Sequence, residues 1–333
     1  MKAAVLQETG LLAVEDVEAP KPAPGELVLA VRDCGICGSD LHAVKSMPPG
    51  TIFGHEFSGE VAAVGDGVSD WKVGDHAVSL PFFSCGECDR CRAGDGMFCM
   101  QIRGIGLGPV AGAYAELVRV QPANSFHVPA EVALRDAALV EPMAVGLHGL
   151  RRSRLAKGET CVILGAGPIG IATLVWAREL GAKTVVSELS PGRRAMAKRL
   201  GATAVVDPQK DEPGFVAQQI SDAGPQVVFE CVGVSGLIQN AMAIAPLRAQ
   251  IVVLGVCMGT DEIFPITGIL KELEIDFVVG YSRSEFKETL DALASGRIDP
   301  RPMITDVIDV GRVPAMFTAL ATPNTQCKVL IEF

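Results

Sequence analysis

The sequence predicts a two-domain α/β chain, with a doubly wound parallel sheet in the second half and a β-rich, barrel-like domain in the first. Three observations lead there. The chain has 333 residues and a mass of 34.9 kDa, the size of two ordinary domains. From Glu159 onward, near-continuous apolar strands alternate with helical segments, the pattern of a parallel sheet covered on both faces. Before about residue 140 the strands are short and separated by Gly, Pro and Asp turns, which favours antiparallel pairing.

Composition narrows the function classes. Hydrophobic residues make up 49% and charged residues 20%, so the chain can bury a large core and does not carry the signature of disorder. A formal net charge of -10 without a long Lys/Arg run leaves no surface to neutralise a phosphate backbone, which argues against nucleic acid as a partner. Gly, Pro or a charge interrupts every apolar run short of the ~20 residues a spanning helix needs, so no membrane segment is expected. The N-terminal MKAAVLQETG has no apolar signal core and no small-residue cleavage site, which makes the cytoplasm the expected compartment.

In the first half, GELVLAVRDCG, GEVAAVG, GDHAVSL and AYAELVRV read as strands. Between them lies PFFSCGECDRCRAGDGMFC, which places Cys85, Cys88, Cys91 and Cys99 within 15 residues. Four thiolates at C-x2-C-x2-C spacing with a fourth nearby can close a tetrahedral shell around Zn²⁺, leaving no position for water or substrate. The expected role is structural, in a lobe with little apolar material of its own. An iron–sulfur cluster would use similar spacing, but zinc is preferred. Phe82 and Phe83, just before the lobe, read as core residues ahead of pocket walls. Cys34, Cys161, Cys231, Cys257 and Cys327 are scattered and read as small core thiols.

Three further segments are rich in ligands: CGICGSDLH, FGHEFSG and VEPMAVGLHG. Cys37, His55, Glu56 and Glu141 offer a thiolate, an imidazole and two carboxylates, a mixed set that suits a zinc with an open or exchangeable position. Taken singly, each has an ordinary structural explanation, and only the combination points to a metal.

In the second half the strands TCVIL, KTVVSE, TAVVD, QVVFEC, AQIVVLG and EIDFVVG alternate with helices. The first strand runs into GAGPIG, Gly165 to Gly170, which opens a helix; Glu188 follows 18 residues after the last glycine, at the end of the next strand. Gly165 permits a tight turn, Gly167 lets the backbone approach a pyrophosphate at the helix N-terminus, and Gly170 allows close helix-to-strand packing. In that context the motif predicts dinucleotide binding. A carboxylate at position 188 accepts hydrogen bonds from the ribose hydroxyls of NAD and repels the 2′-phosphate of NADP. Ser187, Arg193 and Arg194 lie close enough in sequence to soften that preference. The closing KVLIEF reads as a strand that pairs with the N-terminal sheet. The first domain is therefore expected to be discontinuous, at 1–140 plus 282–333 with the cysteine lobe at 82–100, and the dinucleotide-binding domain at 141–281 is inserted in it.

GHE followed by FSGEVAAVG, the four-cysteine lobe, EPMAVGLHG, GAGPIG and VVFECVG occur in this order, and over nearly its whole length the chain resembles the zinc-containing medium-chain alcohol dehydrogenases. The resemblance implies a GroES-like catalytic domain, a Rossmann domain that binds NAD, two zinc ions per chain, an active site in the cleft against the cofactor domain, and a homo-oligomer, dimer or tetramer. It implies Cys37, His55 and Glu141 as catalytic-zinc ligands, with Glu56 as the carboxylate that ligates or displaces, and Cys85, Cys88, Cys91 and Cys99 as structural-zinc ligands. It further implies Ser39 as the hydroxyl that takes the substrate proton, His42 as the relay to solvent and Asp40 as support. Pro168, Ile169, Cys231, Val232 and Arg193 would join Gly165, Gly167, Gly170 and Glu188 at the cofactor. Glu141, SELS and KELEIDFVVGY look more like the branch acting on polyols, vicinal diols and secondary alcohols. Ala43 and Gly280 stand where sorbitol dehydrogenases carry a tyrosine and an arginine. The expected activity is NAD-dependent oxidation of a secondary alcohol or vicinal diol, or reduction of the ketone. A sugar-alcohol or threonine-type dehydrogenase is the alternative, and a zinc-free quinone reductase or a nucleotide-binding protein without activity is the more distant one.

Overall fold

The computed structural model describes residues 1–322 and 325–333. It divides into two compact units: Met1–Glu141 with Tyr281–Gly296 and Ile304–Phe333, and Pro142–Gly280 with Arg297–Met303. Glu141 and Tyr281 thus fall in the first unit, one residue from the divisions drawn from sequence at each end. The segment Arg297–Met303 joins the second.

In the first unit the strand Leu27–Gly35 is the axis. Its front half pairs antiparallel with Leu117–Val120, its last residues with Leu330–Glu332, and its whole length with Glu56–Val64 on the other side. His76–Ser79 and Ser125–His127 extend the sheet beyond Glu56–Val64, and Ile304–Asp309 lies parallel to the C-terminal strand Lys328–Glu332. The apolar KVLIEF segment therefore does add the end of the chain to the N-terminal sheet. Leu29, Val31, Phe57, Val61, Val118 and Ile331 meet in one core with Phe53 and Tyr114. Full burial of each large apolar side chain contributes ~1.5–3 kcal/mol. Phe83 joins this core and Phe82 is buried beside it, so the pair serves packing, as expected.

The second unit is a six-stranded parallel sheet in the order Ala204–Val206, Lys183–Ser187, Thr160–Leu164, Val227–Glu230, Gln250–Val253, Glu274–Phe277. The first strand in sequence, Thr160–Leu164, sits at the centre, and the chain winds outward from it in both directions. Ligands of such sheets bind beyond the strand ends, where the winding reverses. The reversal falls between Thr160–Leu164 and Val227–Glu230, which places GAGPIG and the ECVG turn side by side. Every residue of Thr160–Leu164 is buried, the reason its sequence is continuously apolar rather than alternating. Among the described residues no helix is long and apolar enough to cross a membrane.

Candidate metal and dinucleotide sites

The strand Leu27–Gly35 delivers the chain to Cys37, which begins the short helix Gly38–Ala43. The backbone N–H of Cys37 donates to the Asp40 carboxylate at 3.1 Å, which closes that turn. Glu56 opens the neighbouring strand, Glu56–Val64, and His55 immediately precedes it. The outcome is that donor atoms of Cys37, His55 and Glu56 lie within 4.8 Å of one another. His55 Nδ1 faces Asp40 Oδ1 at 3.1 Å, and Asp40 itself is fully buried. An aspartate that accepts from Nδ1–H fixes the tautomer and leaves the Nε2 lone pair for a metal. Ser39 Oγ lies 3.3 Å from Cys37 Sγ, whereas His42 is exposed three residues further along the helix.

Glu141, in the first turn of the helix Val140–Arg152, is 8% exposed and is not part of the three-residue group. Its Oε1 accepts from the Tyr281 hydroxyl at 2.8 Å, and burial pushes its carboxyl up to about 7. Glu56 is held by Lys328 of the C-terminal strand, whose Nζ lies 2.7 and 2.5 Å from its two oxygens and 3.2 Å from the Ile36 carbonyl. Burial opposes the Lys328 charge, but Glu56 and Cys37 outweigh it and raise its pKa. Cys37, Glu56 and Glu141 thus act on one buried ammonium, an excess of anionic donors that a divalent cation would balance. The mixture of thiolate, imidazole and carboxylate fits zinc with a position left open.

The four-cysteine lobe is of the other kind. Cys99 Sγ lies 3.5 Å and Cys91 Sγ 3.9 Å from Cys85 Sγ, too far for a disulfide and close to the ~3.8 Å edge of a tetrahedron with ~2.3 Å Zn–S bonds. Backbone N–H groups of Cys88, Cys91, Cys85 and Gln101 donate to these sulfurs. Backbone N–H groups of Glu87 and then Cys88 bring the Cys85 thiol down to about 7, which favours the ligating thiolate.

In the second unit GAGPIG joins the strand Thr160–Leu164 to the helix Pro168–Leu180, with Gly167 as N-cap and Pro168 and Ile169 in the first turn. Gly165 has φ +93°, and a Cβ on Gly170 would stand 2.0 Å from the Gly165 carbonyl oxygen, so neither position accepts a side chain. Glu188 follows the strand Lys183–Ser187. Its two oxygens accept from Ala166 N–H and Ser190 N–H, each at 2.8 Å, which pins the carboxylate against the glycine loop. Arg194 donates to the carbonyls of Glu188 and Leu189 and pairs with Asp207 at 3.2 Å, while the Arg193 backbone N–H donates to Ser190. The Cys231 sulfur packs 3.8 Å from the Thr173 hydroxyl, under the helix that follows the loop. Val232, by contrast, is 43% exposed, and its N–H and that of Gly233 donate to the buried Glu230 carboxylate.

Residues 23–130 match the family "Alcohol dehydrogenase GroES-like domain" and residues 168–295 match "Zinc-binding dehydrogenase". The 2-dehydro-3-deoxy-L-galactonate 5-dehydrogenase of Pseudoalteromonas atlantica is 36% identical over 325 residues, covering 96% of this chain and 95% of that protein. The chain belongs to the zinc-type medium-chain alcohol dehydrogenases. Two solved members of this kind show how far the likeness extends through the coordinates. The 2R,3R-butanediol dehydrogenase of Bacillus subtilis superposes with a TM-score of 0.89 at 31% identity, over 100% of this chain and 99% of that one. A zinc-binding dehydrogenase structure from Sinorhizobium meliloti 1021, bound to NADP, gives 0.89 at 32% identity, again over 100% of this chain and 99% of that one. The medium-chain dehydrogenase scaffold therefore accounts for both units, with a GroES-like first unit and a Rossmann second unit. Within it, three partners of the metal-site residues escape a reading of the sequence: Lys328, Tyr114 and Tyr281. Lys328 could have been noticed as a lysine opening an apolar terminal strand, but nothing in sequence ties it to Glu56, 272 residues away.

Proposed function

We propose that this dehydrogenase transfers a hydride between NAD and a secondary alcohol or vicinal diol, or its ketone. The group of half-buried Cys37 with buried His55 and Glu56, and the Ser39 hydroxyl beside the Cys37 sulfur, carries this proposal. Zinc held by these residues would supply Lewis acidity toward the substrate oxygen, and NAD would accept or return the hydride. Ser39 takes the alcohol proton, and exposed His42, on the next turn of the same helix, passes it to water. Asp40 keeps His55 in the ligating tautomer, and Glu141 is the fourth candidate ligand, steadied by Tyr281. The lobe cysteines hold a second, structural zinc.

Relatives named for 2-dehydro-3-deoxy-L-galactonate and 2R,3R-butanediol support a secondary-alcohol or diol substrate. Ala43 and Gly280, which offer no polar side chains, favour a short diol over a long polyol; a sugar alcohol or threonine is the second reading. Glu188, anchored by two backbone N–H groups, favours NAD over NADP, because Arg194 is committed to Asp207 and to backbone carbonyls. Cys85, Cys88, Cys91 and Cys99, gathered as a metal-ligating group with sulfurs too far apart for a disulfide, support a reducing cytoplasm. We also propose a homo-oligomer. The last strand of the parallel sheet, Glu274–Phe277, ends in Phe277, 71% exposed, near a helix, Pro265–Lys271, whose Ile269 and Leu270 are 69% and 72% exposed. An edge with that much bare apolar surface suits pairing with a second copy.

NADH absorbance with a panel of secondary alcohols, vicinal diols, polyols and threonine tests the substrate class. Turnover highest on a short vicinal diol or secondary alcohol is expected, and NADH formed only with polyols or threonine would move the assignment to the second reading. Light scattering on Leu270→Glu tests the assembly, which should fall to a smaller species.

A further inference from the structure

The chain has only two tyrosines, and both are buried with their hydroxyls on carboxylates of the metal site. Tyr114 is the more informative. Its hydroxyl donates to Asp40 Oδ2 at 2.7 Å, while Asp40 also receives the Cys37 N–H and faces His55. Asp40 is 0% exposed, so each contact replaces water that the carboxylate has lost. The backbone of Tyr114 grips the other ligand segment. Its N–H donates to the Phe53 carbonyl at 2.9 Å, and the flanking Ala113 N–H donates to the Gly54 carbonyl at 2.9 Å, immediately before His55. Its own carbonyl accepts from Ala4, which anchors it to the N-terminal strand Lys2–Leu6. Close approach is built in: Gly54 has φ +99°, and a Cβ there would lie 2.5 Å from the Tyr114 ring. The ring is also fixed from the side by Phe317, edge-on at 6.5 Å.

We propose that Tyr114 is a positioning residue for the Cys37, His55 and Glu56 metal site: one residue joins the Cys37–Asp40 turn through its phenol and the Phe53–His55 segment through its backbone. This rests on the assignment of those three residues as metal ligands. An unheld Asp40 could rotate away from His55, and with it the orientation of the imidazole would loosen. Groups bonded directly to a metal ligand are worth ~10–100-fold in metal affinity; Tyr114 acts one bond further out, so a ~3- to 10-fold effect is expected. Tyr114→Phe deletes the bond and keeps the ring in the core.

The test is zinc release from the holoenzyme into excess chromophoric chelator. The two metals give separate phases, and Cys37→Ser identifies the catalytic one by its loss. Tyr114→Phe should speed the catalytic phase ~3- to 10-fold and leave the four-cysteine phase unchanged, which makes the lobe an internal control for general loosening. Adding Tyr114→Phe to Asp40→Asn should change little, because the phenol acts through that carboxylate. In wild-type enzyme labelled with 3-fluorotyrosine, the resonance absent from Tyr114→Phe should shift when the catalytic zinc is withdrawn. An unchanged catalytic phase, equal acceleration of both phases, or additivity with Asp40→Asn overturns the proposal. A wild-type chain that releases a single zinc overturns the ligand assignment and the proposal together, whereas two phases in wild type with no response in the variant overturn only the role of Tyr114.

Discussion

Removal of the Lys328 ammonium exposes how much the metal site depends on the last strand of the chain. Lys328 and Glu56 have side chains 0% and 1% exposed, and the ammonium meets both carboxylate oxygens. Without zinc at this site, Lys328→Met keeps the length of the side chain and leaves Glu56 as a buried, uncompensated charge and Ile36 without its donor. Breaking a buried pair from one side costs ~3–5 kcal/mol. In units of this size each kcal/mol moves the melting temperature by ~2–4 °C, so a fall of ~6–20 °C is expected. Glu56→Gln added to Lys328→Met removes the stranded charge and should recover more than half of the loss. What remains is of the order of the ~1 kcal/mol of a lost hydrogen bond. Differential scanning calorimetry of both variants in a Cys37→Ser background, where no zinc at this site balances Glu56, measures the effect against Cys37→Ser alone. Lys328→Met within ~2 °C of the Cys37→Ser reference, or no gain in stability on adding Glu56→Gln, would contradict an electrostatic role for Lys328.

Three other outcomes follow from the same geometry. Cys91→Ser should lower the melting temperature and cause precipitation, since a closed thiolate shell couples metal binding to folding, whereas Cys37→Ala should fold and bind NAD but not turn over; thermal scans and NAD fluorescence titrations separate them. Wild-type enzyme should prefer NAD to NADP by ~10-fold or more in kcat/KM, ~1.4 kcal/mol, and Glu188→Ser should narrow the gap by improving NADP; equal use of both by wild type contradicts this. His42→Ala should leave zinc content unchanged and slow alcohol oxidation most at low pH, by no more than the ~10²-fold lower bound for general acid–base groups; an unaltered pH profile excludes the relay.

The sequence displayed those parts of the protein whose chemistry is local. The order of apolar strands, GAGPIG and Glu188 lie within one strand–helix–strand stretch, and the lobe cysteines lie within 15 residues, so spacing alone constrains their geometry. KVLIEF is apolar enough to be expected in the N-terminal sheet, but that Leu27–Gly35 is its partner is visible only in the coordinates. The contacts that steady the metal site are of another kind. Tyr114 reaches Asp40 across 74 residues, Tyr281 reaches Glu141 across 140, and Lys328 reaches Glu56 across 272. No periodicity links such pairs, because each is made only when separate strands converge. Glu141 shows the same limit: the sequence groups it with Cys37, His55 and Glu56, but only the coordinates reveal that a phenol holds it and that the other three form the close group.

Cys37, His55 and Glu56 are proposed to form a zinc site that performs alcohol oxidation, separate from the cysteine lobe. Its most direct test is zinc per chain by atomic emission, measured together with NADH formation on 2,3-butanediol, in the wild type and in Cys37→Ser. Two zinc ions and turnover in the wild type, against one zinc ion and no turnover in a folded Cys37→Ser, is the expected result. Turnover that survives in Cys37→Ser, or the same zinc content in both proteins, would contradict it.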